Sequence, residues 1–327
     1  MKRIAVCLTL AICAGATPKP APVNYNAFGI SALQRLSAQS KNENVFISPL
    51  SIGVALAMSA DGARGATRDA IIKTLGLSGA KVDDITSALV TETTQNQDAQ
   101  VGIANALWTR EDVKPRAQYV EELRRNYDAQ VQALNFGNPS AADAINAWTK
   151  AHTLGLIGKI VDRTTKSDFI YLTNALAFKG TWTLQFKKQD TAPKPFTNAD
   201  GGKSTVPMMS QNGEFGLYKG NGFSALRMLY GKGGYAAYVL LPEGGSTDAL
   251  VKKLSDSGLD AIARNARETY MHVEIPRFSA QYATSLVPLL KAMGMGIAFT
   301  KSADFSGIHA IPPPLAVTSV NHASYVR

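Results

Sequence analysis

The first half of the chain carries apolar residues at helical spacing. Apolar side chains follow Ser48-Pro49 at positions 52, 55, 56 and 58, and Gly62 comes soon after. A serine before a proline is typical of a helix start, because the hydroxyl accepts a first-turn N–H and proline suits the first helical position. This pattern predicts a helix that begins at Pro49 and ends at Gly62. Residues 116–127 and 140–154 have similar spacing and predict two more helices.

The second half carries strand patterns. Residues 169–178 form a mostly apolar run, which predicts a strand covered on both faces, and residues 235–241 predict another before a Pro-Glu-Gly-Gly turn. Apolar and polar residues alternate over 271–275, as in a half-buried strand. Leucines at helical spacing over 286–293 predict a helix that Gly294 ends. Helices early and strands late, without a β–α–β rhythm, predict an α+β fold in one large unit.

Composition excludes several classes of protein. The chain has 327 residues, of which 45% are hydrophobic and 18% charged, so it can bury a core and is neither disordered nor fibrous. Its two cysteines are Cys7 and Cys13. If the segment that holds them is removed, the mature protein has no thiol for a disulfide scaffold, a zinc site, an iron–sulfur cluster or a nucleophile.

Residues 1–16 have the pattern of a cleaved secretory signal. Lys2 and Arg3 supply the positive start, residues 4–12 the apolar stretch, and residues 14–16 the small-x-small cleavage pattern. The apolar stretch is far shorter than the roughly 20 residues that span a bilayer. We therefore expect a secreted protein, extracellular or periplasmic, with no membrane span.

Two other interpretations of this segment stay open. It could carry a lipid anchor at Cys13, although the bulky Ile12 disfavours that, or form a buried N-terminal helix.

Signal removal leaves 32 basic and 25 acidic residues, and the net charge falls from +9 to +7. Proline-rich residues 17–27 predict a short flexible lead-in. No glycosylation sequon is present, since proline disqualifies residues 138–140, and this favours a bacterial source.

The sequence lacks the patterns of an enzyme. It has no G-x-S-x-G elbow, and its four histidines are scattered without a metal-ligand pattern. Residues 202–204 resemble the end of a phosphate loop, but Thr197 stands where the first glycine is needed. We therefore expect no catalytic residue, no metal and no cofactor. Basic residues between 110 and 125 alternate with acidic ones, which indicates a solvated helix face and not a nucleic-acid site.

A series of ordered blocks carries a resemblance to a known family. Residues 44–67 read NVFISPLSIGVALAMSADGARGAT, and further blocks follow in order at residues 104–108, 145–148, 173–186, 206–218, 239–243, 274–278, 294–299, 303–307 and 321–322. These blocks resemble the serpins, the serine-protease-inhibitor superfamily. The resemblance assigns residues 28–327 to one serpin domain with three sheets and about nine helices.

The resemblance also implies a mechanism. In serpins a protease attacks an exposed reactive-centre loop, which then inserts as a new strand into the central sheet and distorts the attached protease. We therefore expect an inhibitor of serine proteases, with cysteine proteases as a second class, that acts in a complete form as a suicide substrate. We expect a monomer. Residues 83–98, which would lie near the heparin-binding helix of some serpins, contain no Lys or Arg, so no heparin site is predicted.

Resemblance places the serpin shutter, under the centre of the main sheet, at Ser48, Pro49, Ser51, Asn174 and His322. Strands that part and pair again need small side chains and adjustable hydrogen bonds below them, which hydroxyl, amide and imidazole groups supply. Ser48 also fits a plain helix cap, and His322 taken alone fits a core histidine. These alternatives are compatible with a shutter role.

The same resemblance places Trp182 at the breach, where loop insertion would begin. Ordinary core packing explains a tryptophan there equally well. The chain ends at Arg327, five residues after His322. A serpin continues from this point into a hinge, the reactive-centre loop and further strands, so we expect an incomplete domain without a scissile bond.

Two other functions are alternatives to protease inhibition. The first is a non-inhibitory binding or chaperone protein of serpin fold, or an inactive remnant. The second, a secreted hydrolase, conflicts with the missing pattern of nucleophile and base.

Overall fold

The computed structural model describes residues 6–7, 25–40, 43–77, 82–95, 97–198, 201–244, 246–309, 317 and 319–326. The helices are α1 (Asn26–Gln39), α2 (Pro49–Gly62), α3 (Gly65–Leu75), α4 (Val82–Gln95), α5 (Ala117–Tyr127), α6 (Ser140–His152), α7 (Thr247–Lys253), α8 (Asp256–Asn265) and α9 (Val287–Leu290). The strands are β1 (Val6–Cys7), β2 (Ala99–Arg110), β3 (Gln130–Leu134), β4 (Ile170–Gly180), β5 (Ala192–Thr197), β6 (Lys203–Gly220), β7 (Phe223–Tyr230), β8 (Tyr235–Pro242), β9 (Arg267–Pro276), β10 (Ala280–Ser285) and β11 (Asn321–Val326).

Helix α2 begins and ends where the sequence predicts. The Ser48 hydroxyl accepts a hydrogen bond from the Ser51 N–H at 3.2 Å, and Pro49 is the first helical residue. Most of the helix is apolar and buried, which is typical of a helix surrounded by protein. Val54, Ala57 and Met58 are fully buried, and the largest hydrophobic cluster of the described residues forms around them. This helix therefore gives the sheet beside it a fixed support.

The described strands form three sheets. One has the order β3–β2–β4, a second pairs β10 with β11, and the largest has the order β1–β8–β7–β6–β5 with β9 also paired to β6. The long strand β6 pairs with β5 through residues 203–208, with β9 through residues 208–217 and with β7 through residues 216–220. Mixed helices and several sheets confirm the α+β class.

One expectation about the topology is wrong. Strands β2 and β3 run parallel and are joined through helix α5, which makes one β–α–β crossover. Two features of the sequence explain why hydrophobic periodicity does not predict this crossover. Strand β3 is a five-residue edge strand with largely exposed side chains, so it lacks clear apolar alternation. Strand β2 starts with Ala-Gln-Val-Gly, and only its second half is an apolar run.

The other predicted elements are found with shifted ends. The predicted strands over 169–178 and 235–241 are β4 and β8, and the one over 271–275 is the middle of β9. The predicted helix over 286–293 begins with α9, and its helical geometry breaks at Gly294, where the sequence predicts the end. Gly294 has a φ of 105°, a conformation that favours glycine.

The N-terminal predictions fall mostly outside the described residues. Of the predicted signal peptide, residues 1–5 and 8–16 lie outside them, and Val6 and Cys7 pair with β8. Residues 17–24 of the predicted lead-in also lie outside them, while helix α1 begins at Asn26. Within the described part of the chain, every helix is too short or too polar to cross a bilayer.

Candidate functional site

The candidate site lies beneath two strands that face each other without pairing. Strand β4 pairs with β2 along one edge, and β11 pairs with β10. The other edge of β4 lies beside β11, and Ala175 and Ala323 belong to one buried cluster. Among the described residues, no backbone ladder joins β4 to β11. We call these two facing edges the seam.

The first turn of α2 reaches the seam through Ser51. The Ser51 hydroxyl donates a hydrogen bond to Oδ1 of Asn174, and Nδ2 of Asn174 donates to Oδ1 of Asn105. Asn105 and Asn174 are direct partners in the β2–β4 register, which places both amides on the same face of the sheet. All three side chains are buried. The chain of bonds continues from Asn105 Nδ2 to the backbone oxygen of Tyr127 at 2.6 Å.

His322 approaches the same turn from β11. Its Nε2 accepts a hydrogen bond from the backbone N–H of Ser48 at 3.3 Å. Two residues further along β11, the Ser324 hydroxyl donates to the backbone oxygen of Phe46. Burial lowers the pKa of His322 to about 4, because desolvation disfavours the imidazolium. The ring is therefore neutral near pH 7, and its Nε2 serves as an acceptor.

Pro49 contributes shape and not hydrogen bonding. It follows the capping serine at the start of α2 and lies against Gly29 of α1. A Cβ added at Gly29 would lie 2.4 Å from Cγ of Pro49, so a larger side chain there would push the two helices apart. The proline thus fixes the position of the turn that carries Ser51.

Ser48, Pro49, Ser51, Asn174 and His322 do converge on the first turn of α2. Asn174 contacts that turn through Ser51 and His322 through Ser48, with no hydrogen bond between the two in the described structure. His322 accepts a backbone N–H and neither serine hydroxyl, so it is not placed as a base for Ser48 or Ser51. The arrangement is a set of neutral donors and acceptors under a seam.

Sequence reasoning missed Asn105 as a site residue. It lies inside the block ANALW, and an amide in an apolar strand was the available signal. Its partner Asn174 lies 69 positions away, so the pairing requires the strand register. Its other contact, the Tyr127 carbonyl, carries no sequence signal at all.

Trp182 lies apart from this network. It follows β4 and forms an isolated bridge with Tyr230, and the two rings stack with centroids 4.0 Å apart. The tryptophan is half-buried and packs into two small clusters with Phe186 and Phe178. The contacts are those of aromatic packing, at the end of β4 beyond Gly180.

Comparison with known proteins adds the family. The sequence profile described as Serpin (serine protease inhibitor) matches residues 23–327. An uncharacterized serpin-like protein of Thermococcus kodakarensis is 32% identical over 314 residues, which cover 94% of this chain and 72% of that protein.

Solved structures agree. The thermophilic serpin tengpin in its latent state is 26% identical, has a TM-score of 0.86 and matches 96% of this chain and 86% of its own. Human thyroxine-binding globulin complexed with thyroxine, at 24% identity, shares the fold with a TM-score of 0.87 over 93% of this chain and 84% of its own. This chain belongs to the serpin (serine protease inhibitor) family.

Proposed function

We propose that the protein, in a complete form, inhibits serine proteases as a suicide substrate, by accepting a reactive-centre loop as a new strand in the seam. The observation that carries the proposal is the unpaired seam above the buried polar turn of α2. The strand edges there have backbone donors and acceptors to offer, and an inserted strand would give them partners. Cysteine proteases are the second target class, and no cofactor is required.

In this proposal Ser48, Pro49, Ser51, Asn174 and His322 act as the shutter. The seam must widen to admit a strand, so the bonds beneath it have to break and form again. Neutral groups can exchange partners without exposing a charge in a buried site, which keeps the cost of widening small. The hydrogen bonds from α2 to both sides of the seam support this role.

Trp182 is proposed to mark the breach, where insertion begins. Its position just beyond the end of β4 supports this assignment. The stacked pair with Tyr230 would hold the upper end of the seam until a strand enters. Trp182 makes the same contacts whether it only packs or also marks the breach. The two roles differ only in how these contacts respond to an inserted strand.

Location and processing belong to the same proposal. Residues 1–16 direct secretion and are removed, residues 17–27 lead in, and residues 28–327 form the serpin domain. The mature protein would then meet its proteases outside the cytoplasm as a monomer.

The test uses the protein expressed from its complete gene. We would mix it with a panel of serine and cysteine proteases and look for a detergent-stable covalent complex. The expected result is a complex with at least one serine protease, absent when the protease nucleophile is replaced. Cleavage by every protease without a trapped complex would contradict the inhibitor proposal.

A non-inhibitory binding or chaperone role, or an inactive remnant, is the second candidate. The shared fold with thyroxine-binding globulin, whose structure holds thyroxine, favours the binding alternative. Saturable binding of thyroxine with a raised unfolding temperature, together with no protease complex, would support it. If the protein neither binds thyroxine nor traps a protease, the inactive remnant is the interpretation that remains.

A further inference from the structure

The far end of α2 buries a second polar cluster. Asp61 is the penultimate residue of α2 and is 7% exposed, and Tyr127 ends α5 and is 1% exposed. The Tyr127 hydroxyl lies 2.8 Å from Oδ2 of Asp61 and 3.3 Å from Oδ1 of Asp83, the second residue of α4. One phenol therefore meets two carboxyl groups where three helices join. We call Asp61, Asp83 and Tyr127 the carboxyl clamp.

The carboxyl clamp has too few hydrogen-bond donors for two ionised carboxylates. The Tyr127 hydroxyl has one proton and can donate it to one carboxylate at a time. Two ionised carboxylates would then face each other with a single donor between them. Within the described chain, no lysine, arginine or histidine forms an ion pair with either acid. A second proton on one carboxyl group gives the cluster a second donor.

The groups around the clamp add no positive charge. Glu122 and Tyr119 face it from α5, and Tyr25 faces it from the start of α1. Arg64, just after α2, donates to the backbone oxygen of Asp61 and not to its carboxylate. The negative charge of Glu122 raises the pKa of Asp61 and favours its neutral form, whereas the hydrogen bond from Tyr127 lowers that pKa by a smaller amount than burial raises it.

We propose that Asp61 and Asp83 share one proton in the folded protein, and that this proton holds the start of α4 against α2 and α5. Independent support comes from the electrostatics: burial, followed by the hydrogen bond and the charge of Asp83, raises the pKa of Asp61 to about 8. Burial, and then the charges of Asp61 and Asp83, also raises the pKa of the Tyr127 hydroxyl. The phenol therefore stays a donor over the range in which Asp61 titrates.

The clamp is joined to the seam by one residue. The backbone oxygen of Tyr127 accepts the Asn105 amide at 2.6 Å, while its side chain holds the acids. Asn105 in turn accepts from Asn174, which lies under the seam. Loss of the shared proton thus loosens a helix end that anchors the buried bonds of the sheet.

The sign of the pH dependence follows from proton counts. The folded-state pKa of Asp61 lies above that of an unfolded aspartate, so the folded chain binds one more proton between about pH 4 and pH 8. The unfolding equilibrium constant therefore gains up to about tenfold for each pH unit in that window. The stabilisation is complete below the unfolded pKa and is lost as the pH rises through the folded pKa.

Three variants of the full chain test this. Asp61→Asn and Asp83→Asn each supply a permanent N–H donor and remove the need for the proton. Asp84→Asn is the matched control, because Asp84 lies in the same first turn of α4 but is exposed. We would measure urea unfolding from pH 5 to pH 8. The ratio of the unfolding equilibrium constant of each clamp variant to that of the wild type should fall by up to about tenfold per pH unit as the pH rises, whereas the ratio for Asp84→Asn should stay constant.

A second measurement needs no variant. Amide hydrogen exchange in α4 and α3 of the wild type, corrected for intrinsic exchange, should show protection of α4 falling between pH 6 and pH 9 more than that of α3. Parallel pH profiles for all three variants would overturn the proposal. Equal protection changes in α4 and α3 would overturn it as well, even if a clamp variant failed to fold.

Discussion

The two ends of helix α2 bury polar side chains in different ways. At its start, Ser51, Asn174 and His322 form hydrogen bonds as neutral groups below the seam. At its end, Asp61 and Asp83 meet one phenol, without a cation paired to either acid in the described structure. Neutral partners can be exchanged at little electrostatic cost, whereas an acid pair depends on a proton. The first arrangement suits a part that moves, and the second suits a part that responds to pH.

The comparison also gives opposite pH responses. His322 has a lowered pKa, so acid destabilises the folded state as the unfolded imidazole takes up a proton. Asp61 has a raised pKa, so a rise in pH destabilises the folded state. Between about pH 4 and pH 6.5 the two effects oppose each other. These two groups together should therefore leave the free energy of unfolding of the wild type nearly constant in that range, and Asp61 should lower it toward pH 8.

The largest expected effect is at Asn174. Asn174→Ala removes a partner from both Ser51 and Asn105 in a buried site, so two polar groups lose a bond. At about 1–3 kcal/mol for each unsatisfied group, we expect a loss of about 4 kcal/mol in the free energy of unfolding, measured in urea. Gln132→Ala on the exposed face of β3 should change it by less than about 0.5 kcal/mol. A loss at Asn174 as small as the control would disprove the buried network.

His322→Asn tests the acid side of the comparison. Wild type should lose about 3 kcal/mol relative to this variant between pH 7 and pH 4, because the unfolded ring binds a proton that the buried ring refuses. Unfolding in urea at several pH values measures the difference. His152→Asn, at an exposed helical position, should retain the wild-type profile. If both variants behave alike, burial of His322 does not govern the acid response.

Ser51→Ala should have an intermediate effect. It leaves Oδ1 of Asn174 without its donor in a buried place, which we expect to cost about 2 kcal/mol. In the double variant with Asn174→Ala the two losses should be far from additive, since both remove the same bond. Additive losses would mean that the two residues act independently.

Ser48→Ala should have the smallest effect, about 1 kcal/mol. Its hydroxyl caps α2, but the bond to His322 uses the backbone N–H and survives the change. Ser255→Ala is the matched control, because Ser255 caps α8 with the same geometry at an exposed site. A loss at Ser48 well above that at Ser255 would show that the hydroxyl does more than cap.

Local signals made one end of α2 predictable from the sequence. Ser48-Pro49 specifies a helix start within a few residues, and the ordered blocks point to the family and its α+β fold. The buried polar cluster at the other end could not be predicted in this way, although Gly62 marked the end of the helix. Asp61, Asp83 and Tyr127 come from three helices, and nothing local distinguishes them from surface residues. Asn105 and strand β3 were missed for the same reason, since register and tertiary contacts define them.

Hydrogen exchange at the seam tests the central claim most directly. The measurement compares amide protection in β4 and β11 before and after adding an alanine- and threonine-rich peptide long enough to match β4. We predict that amides on the β11-facing edge of β4 exchange fast in the free protein and become protected with peptide, while those bonded to β2 change little. Full protection of that edge in the free protein, or no response to the peptide, would contradict an open seam that accepts a strand.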